Sequence, residues 1–402
     1  MTTNTEAPPG RGPVRRGERA LAPDLARGAM LLIIALANVA GVVFAGEPGA
    51  EPAPEGADRG VNLIMFTLLH ARGYPVFAVM FGYGLVQLAR RQRAAGASPA
   101  GVRSVLLRRN GWLVVFGFVH AALLYYGDFL GAYGLVGIVM TLVLLNRNDR
   151  VHKVVLWLWG LATVEVLVLG IVVAIRILSG EAGTAELPLG HVDSLAAPDY
   201  GRSVLDRLTE WPVHTLTVLP FILITWLGMW AARRGVLENP AAHRQLLRWT
   251  VVIGLGISTL GGLPMGLASA GWLHVDESTA SLMSYLHGGT GMFAGPGFVA
   301  LFGLIALRVS RKRKRGSLVV ALCALGQRSL SGYLFQSVAW IILLAPYTLD
   351  LGNSFATKSI AGVVIAFAVW LISVVVARML DRLGKPGPAE WVLRRLAYGR
   401  RS

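Results

Sequence analysis

The sequence predicts an all-α protein, a polytopic bundle of about ten transmembrane helices with both termini in the cytoplasm. Three observations predict it. Of 402 residues, 54% are apolar and 15% charged, against roughly 25% charged in an ordinary soluble domain. The apolar residues collect into runs of about twenty, the length a helix rising about 1.5 Å per residue needs to cross a hydrocarbon core of about 30 Å. The basic residues gather between those runs, chiefly on alternate loops.

Ten runs qualify: 23–45, 62–89, 104–125, 128–146, 153–178, 213–232, 249–272, 288–308, 318–345 and 358–378. The tail before Gly28, Arg90 to Arg109, Arg147 to Lys153, Arg233 to Arg248, Arg308 to Arg315 and the end from Arg378 together hold 31 of the 38 basic residues. Positive loops stay inside, so this side is cytoplasmic and an inner membrane is expected. The opposite loops are acidic, with Glu47, Glu51, Glu55 and Asp58 in one and Glu181 to Glu210 in the longest. Residues 1–20, rich in Gly, Pro and Arg, read as a disordered tail, 21–380 as the bundle and 381–402 as a cytoplasmic amphipathic tail.

A formal charge of +16 would raise nucleic-acid binding in a soluble protein. Placed between apolar runs it is a topology signal, and the bilayer is the expected partner in place of nucleic acid. Cys323 is the sole cysteine, which excludes an intramolecular disulfide and a thiolate cage, and no metal site is expected. Val43, Phe44 and Ala45 before Gly46 imitate a signal-peptidase site, but the length of the first run and its Asn38 favour an uncleaved anchor.

Polar groups are costly inside a bilayer, so those within the runs are the candidates for function. In the first, Asp24 can cap the helix after Pro23, Arg27 can snorkel and Asn38 can bond a neighbour. Eleven steps of about 100° also put Arg27 and Asn38 on one helix face. The second carries His70 and Arg72, a base and a fixed charge or simply bundle glue, and ends in Phe81, Gly82, Tyr83 and Gly84, whose glycines permit close packing. The third begins with Arg108 and Arg109, which suit either an anionic phosphate or positive-inside anchoring.

His120 closes the third run and Asp128 opens the fourth after the turn Tyr125, Tyr126, Gly127. Two readings stand: an interfacial ion pair within an aromatic belt, or a general base oriented by a carboxylate. In the fifth run Glu165 and Arg176 share a face, as a buried pair or a proton path. Gly254 and Gly256 in the seventh lack a third glycine in register and any βαβ context, which excludes a dinucleotide fold. Gly288 to Gly297 lacks the Lys-Ser/Thr ending of a phosphate loop and suits close helix packing.

Six stretches, "APDLARGAMLLIIALANVAG", "FAVMFGYGL", "RRNGWLVVFGFVHAALLYYGDFLGAYGLVG", "ITWLGMWAARRGVL", "LGQRSLSGYLFQS" and "GPAEWVLRRLAYG", together resemble the YeiB-like family of bacterial membrane proteins, also called domain of unknown function 418. They run from residue 22 to residue 399. The resemblance puts Asp24, Arg27, Gly28, Asn38, Gly82, Arg109, His120, Asp128, Tyr133, Gly137, Gly326, Tyr333, Gln336, Glu390 and Trp391 at characteristic positions. Arg72 stands where the family usually has Lys, and Ser331 and Gly332 where it often reads Thr-Asn.

That family in turn looks like a distant relative of the acyltransferase-3 group and of the heparan-glucosaminide acetyltransferases. The likeness implies transfer from acyl-CoA, a co-substrate and no tightly held cofactor, to a hydroxyl or amine of an envelope glycan, lipid or small metabolite. It implies Arg27, Arg108, Arg109 and Arg72 for the CoA phosphates, and Tyr133, Tyr333 and Gln336 for substrate. The acyltransferase-3 pattern has a histidine where this chain has Asn38. Asn is no base at neutral pH, so the base is expected to be His120 with Asp128, with His70 second and Asn38 donating to the developing oxyanion. A solute path lined by Glu165, Arg176, His70 and Arg72, or a non-catalytic envelope role, are the competing readings.

Overall fold

Helices occupy all ten apolar runs in the computed structural model, which describes residues 21–180, 183, 190–218, 221–312 and 315–398. The tail read as disordered, residues 1–20, lies outside the described residues, as do Glu181 and Glu186 of the acidic loop and the last four residues. The helices are α1 (Leu21–Val43), α2 (Gly56–Ile64), α3 (Gly73–Ala94), α4 (Pro99–Leu123), α5 (Leu130–Val143), α6 (Asp149–Ser179), α7 (Asp193–Ala196), α8 (Tyr200–Val218), α9 (Ile222–Arg233) and α10 (Arg244–Ser269). They continue with α11 (Glu277–Ser310), α12 (Ser317–Gly326), α13 (Ser329–Leu344), α14 (Lys358–Arg382) and α15 (Pro388–Tyr398). Two short strands, β1 (Gly46–Glu47) and β2 (Gly190–His191), pair antiparallel and tie the first acidic loop to the longest.

Six helical segments are long and apolar enough to cross a bilayer, or eight if the pairs α8–α9 and α12–α13 each count as one bent span. The other two of the ten runs fall short for physical reasons: α4 carries Arg108 and Arg109, and α5 has only 14 residues. Large apolar side chains face outward along α6, among them Trp157, Leu161, Ile171 and Leu178. An exposed apolar face of that length suits lipid and not water.

Local chemistry sets the helix starts. Ser98 caps α4 by accepting from the Gly101 amide at 3.2 Å, with Pro99 at the first turn. Asn148 caps α6 through Val151 N at 3.1 Å, and Asp276 caps α11 through Thr279 N at 3.1 Å. Each side chain satisfies an amide that the first turn leaves without a partner.

The expected second run is not one helix. Residues 65–69 form a π-helical turn, Ala71 takes a left-handed backbone (φ 60°), and α3 starts afresh at Gly73. Pro75 suits a helix start there, since in the first turn its missing N–H and fixed φ cost nothing. The expected ninth run is also broken, with α12 and α13 meeting at 83°. There the Glu390 carboxylate of α15 accepts from Leu330 N (2.8 Å) and Ser331 N (3.2 Å), capping α13 from another element.

α1 is the central helix, packed against α12, α14, α11, α3 and α13. Glycine brings it close to α12. A Cβ on Gly28 would collide with the Leu322 carbonyl, and one on Gly326 with the Asp24 carbonyl. The glycines of α11 do the same, Gly291 against Ala71 and Gly295 against Pro75, as expected for close helix packing. Glu165 and Arg176 are both exposed on α6, and no ion pair joins them among the described residues. Sharing a helix face did not bury them, because α6 lies at the rim of the bundle.

Candidate functional site

A cavity of about 520 Å³ lies between α1, α3, α4, α5, the α12–α13 break and α15. That is a usual size for a small-molecule site. Arg27, Arg91, Arg109, Arg394 and Tyr398 line its basic end. Asp24, 3.6 Å from Arg27, and Glu390 are the carboxylates there. The rest of the wall is apolar and aromatic: Ile34, Tyr74, Phe77, Phe81, Leu113, Phe129, Leu130, Tyr133 and Tyr333.

The aromatic wall is ordered by its own contacts. Tyr74 stacks on Phe129 at 5.5 Å between centroids and Phe81 on Tyr133 at 5.4 Å. Tyr133 Oη donates to the Tyr74 carbonyl at 2.8 Å, and the Arg109 guanidinium lies 5.7 Å from the Phe81 ring centre. The broken backbone at Gly326, Gln327, Ser329 and Leu330 forms part of the wall, which is where irregular chain is tolerated at membrane depth. α15 contributes Glu390, Leu393, Arg394, Ala397 and Tyr398 to the wall. The tail read as a membrane-surface helix therefore has one face in the cavity, while Trp391 is exposed with Arg395 over its ring at 5.3 Å.

Behind Tyr333 lies a chain of three buried polar groups. His120 Nδ1 is 2.9 Å from Asp128 Oδ1, and His120 Nε2 is 2.8 Å from Ser337 Oγ. Asp128 also accepts from Leu130 N at 3.1 Å and Gly131 N at 2.7 Å. An acceptor held by two amides takes the Nδ1 proton and leaves Nε2 as the acceptor for the serine hydroxyl. The α4–α5 turn can return this closely because Gly117 has no side chain: a Cβ there would strike Asp128 Oδ2 and Gly131 N. The His120 ring lies 4.8 Å from that of Tyr333, which separates it from the cavity.

Other expected site residues are elsewhere. His70 and Arg72 do not line the cavity but form a second buried cluster at the α3 break. Arg72 donates to the His70 carbonyl and, at 2.9 Å, to the Ser258 carbonyl, and lies 3.4 Å from both ring nitrogens of His287. Gly262 leaves room for its guanidinium. Arg108 is exposed on α4 outside the cavity, one residue from Arg109. Asn38 is buried, beyond Ile34 and off the cavity wall, and Gln336, also off the wall, donates Nε2 to the Leu31 carbonyl at 3.2 Å while its buried Oε1 has no hydrogen-bond partner among the described residues. Sequence reasoning missed Ser337, Arg91, Arg394 and Tyr398. Ser337 stands one turn after Tyr333, and that spacing was the one signal available for it.

Membrane-length helices around a partly open cavity, basic at one end and aromatic elsewhere, mark a polytopic membrane protein with a candidate small-molecule site. Residues 231–400 match the family described as "Protein of unknown function (DUF418)". The chain is 26% identical to "Uncharacterized protein YeiB" of Escherichia coli (strain K12), over 94% of this chain and 96% of that one. It is 24% identical to "Uncharacterized protein YxaH" of Bacillus subtilis (strain 168), over 85% and 83%. A 39.9 kDa protein from the amylase 3' region of Bacillus acidopullulyticus is 26% identical over 97% and 96%. The resemblance to the YeiB-like family thus holds along most of the chain.

Proposed function

We propose that this chain is an acyl-CoA-dependent acyltransferase of the bacterial inner membrane, crossing it about ten times with both termini cytoplasmic. The observation that carries the reading is one cavity that joins Arg27, Arg91, Arg109 and Arg394 to an aromatic wall beside His120. Guanidinium groups pair with phosphate in bidentate fashion, so the basic end suits the nucleotide of CoA. The apolar wall suits the pantetheine arm and a short acyl chain, with the thioester near Tyr333. His120, its tautomer set by Asp128, supplies the base. The acceptor is a hydroxyl or amine on an envelope glycan, lipid or small metabolite. Counting α4 and α5 with the eight other spans gives the ten, and the basic loops orient them.

Equilibrium binding of acetyl-CoA and longer acyl-CoAs to detergent-purified protein tests this. Saturable binding weakened at least tenfold by Arg27→Ala or Arg109→Ala is expected. Absence of saturable binding would overturn it. The helix break at Ala71, next to buried Arg72, favours a second reading as a small-solute transporter, since broken helices mark many transport sites. Solute flux into proteoliposomes without CoA would select that reading.

A further inference from the structure

We infer that Ser337 is a nucleophile that carries the acyl group covalently, so that transfer runs through an acyl-serine and not by direct attack of the acceptor on the thioester. This rests on the acyl-CoA reading above. The argument is one of occupancy. In neutral His120 only Nε2 can take a proton, and Nε2 already has the Ser337 hydroxyl at 2.8 Å. The first proton it removes is therefore the serine's. Nucleophile, base and orienting carboxylate stand in hydrogen-bond sequence, 2.8 Å and 2.9 Å, which is the geometric signature of an activated serine.

Three separate elements supply the groups: α13 brings Ser337, α4 brings His120, and the α4–α5 turn brings Asp128. A helical serine in a membrane commonly satisfies itself on the carbonyl four residues back. Ser337 Oγ is 3.4 Å from the Tyr333 carbonyl, much longer than its contact with His120. All three side chains are buried, so water has little access to an ester formed there. Tyr333, one turn before Ser337 and against the His120 ring, is the layer between this group and the cavity, and it must turn aside for a thioester to reach Oγ.

The chemistry balances without another reagent. Ser337 Oγ loses its proton to His120 Nε2 and bonds to the thioester carbonyl carbon. The carbon–sulfur bond breaks, and the CoA thiolate leaves with the proton from His120. In the second half the acceptor O–H or N–H gives its proton to His120 and attacks the serine ester. The carbon–Oγ bond breaks, and Ser337 regains its proton from His120.

The full chain in detergent is incubated with acetyl-CoA and no acceptor, and free thiol and peptide masses are followed. One acetyl group on the peptide carrying Ser337, matched by one thiol released, is expected. Ser337→Ala should keep acetyl-CoA binding within about twofold, showing it is folded, yet lower adduct and thiol release more than about a hundredfold. Ser337→Cys should form a thioester adduct that hydroxylamine removes. Acetyl-CoA binding without an adduct at position 337, or with thiol release unchanged in Ser337→Ala, overturns the nucleophile and leaves the acyl-CoA reading standing. Loss of saturable binding in the unaltered chain overturns both.

Discussion

The bundle buries two histidine clusters, and they differ in what accompanies the imidazole. Around His120 there is a carboxylate on one ring nitrogen, a hydroxyl on the other, and a cavity behind the next aromatic ring. Around His70 and His287 there is a buried guanidinium, and among the described residues no carboxylate pairs with it. Neither of those histidines lines the cavity. A carboxylate orients an imidazole and stabilises it as it takes up a proton, whereas a neighbouring arginine opposes that charge. On the proposed function the first cluster moves a proton, whereas the second ties three helices at a break: Arg72 at the start of α3 reaches Ser258 on α10 and His287 on α11.

The largest expected effect separates the clusters by activity. With acyl-CoA as donor, His120→Ala should lower the rate of CoA release at least about a thousandfold, with Kd for acetyl-CoA unchanged. His70→Ala should leave that rate within about threefold. Equal losses in the two variants would erase the distinction between them. Stability should run the other way. Arg72→Ala removes a buried side chain and strands the His70 and Ser258 carbonyls, so thermal unfolding in detergent should report a loss of roughly 2–4 kcal/mol. Arg72→Met, which keeps the volume, should recover part of it.

A smaller effect follows from packing at the cavity edge. Gly28→Ala must push α1 from α12 or strain both, at a cost of roughly 1–3 kcal/mol, and should weaken acetyl-CoA binding because Asp24 and Arg27 lie on that edge. Unchanged melting and unchanged Kd would show that the helices can separate freely.

The smallest is a pH effect remote from both clusters. Asp276 accepts from Thr279 N, Thr279 Oγ1 and Ser278 Oγ, and the Ser278 and Thr279 hydroxyls hold its carboxyl well below the usual range. A folded pKa below the unfolded one means the cap stabilises α11 above about pH 4 and fades as pH falls through the folded value. Asp276→Asn should flatten the acid limb of the melting curve by lowering stability at neutral pH toward the value the unaltered chain has in acid.

The His120–Asp128 pair was legible because only eight residues and one turn separate its members. Ser337 was not, since it stands 217 positions after His120 and no local pattern spans that distance. His70 and Arg72 read as a second candidate base with a fixed charge, or as bundle glue. The sequence does not say which neighbour a helix face meets, and these faces meet α10 and α11. Pro75 alone did not mark the break before α3, because α10 and α11 run on through Pro264 and Pro296. Nor was the break before α13 legible, because its cap, Glu390, comes sixty residues later from α15.

By itself the sequence determined the helical class, the ten apolar segments, the asymmetry of basic loops and the small residues that allow close approach. These follow from lipid as solvent, which demands internally bonded backbone and penalises charge residue by residue. Only the tertiary structure decided which helix faces meet, that α15 closes the cavity, and that Ser337 stands on His120. Those depend on rotation and tilt, which are set by side-chain packing between segments distant in the chain.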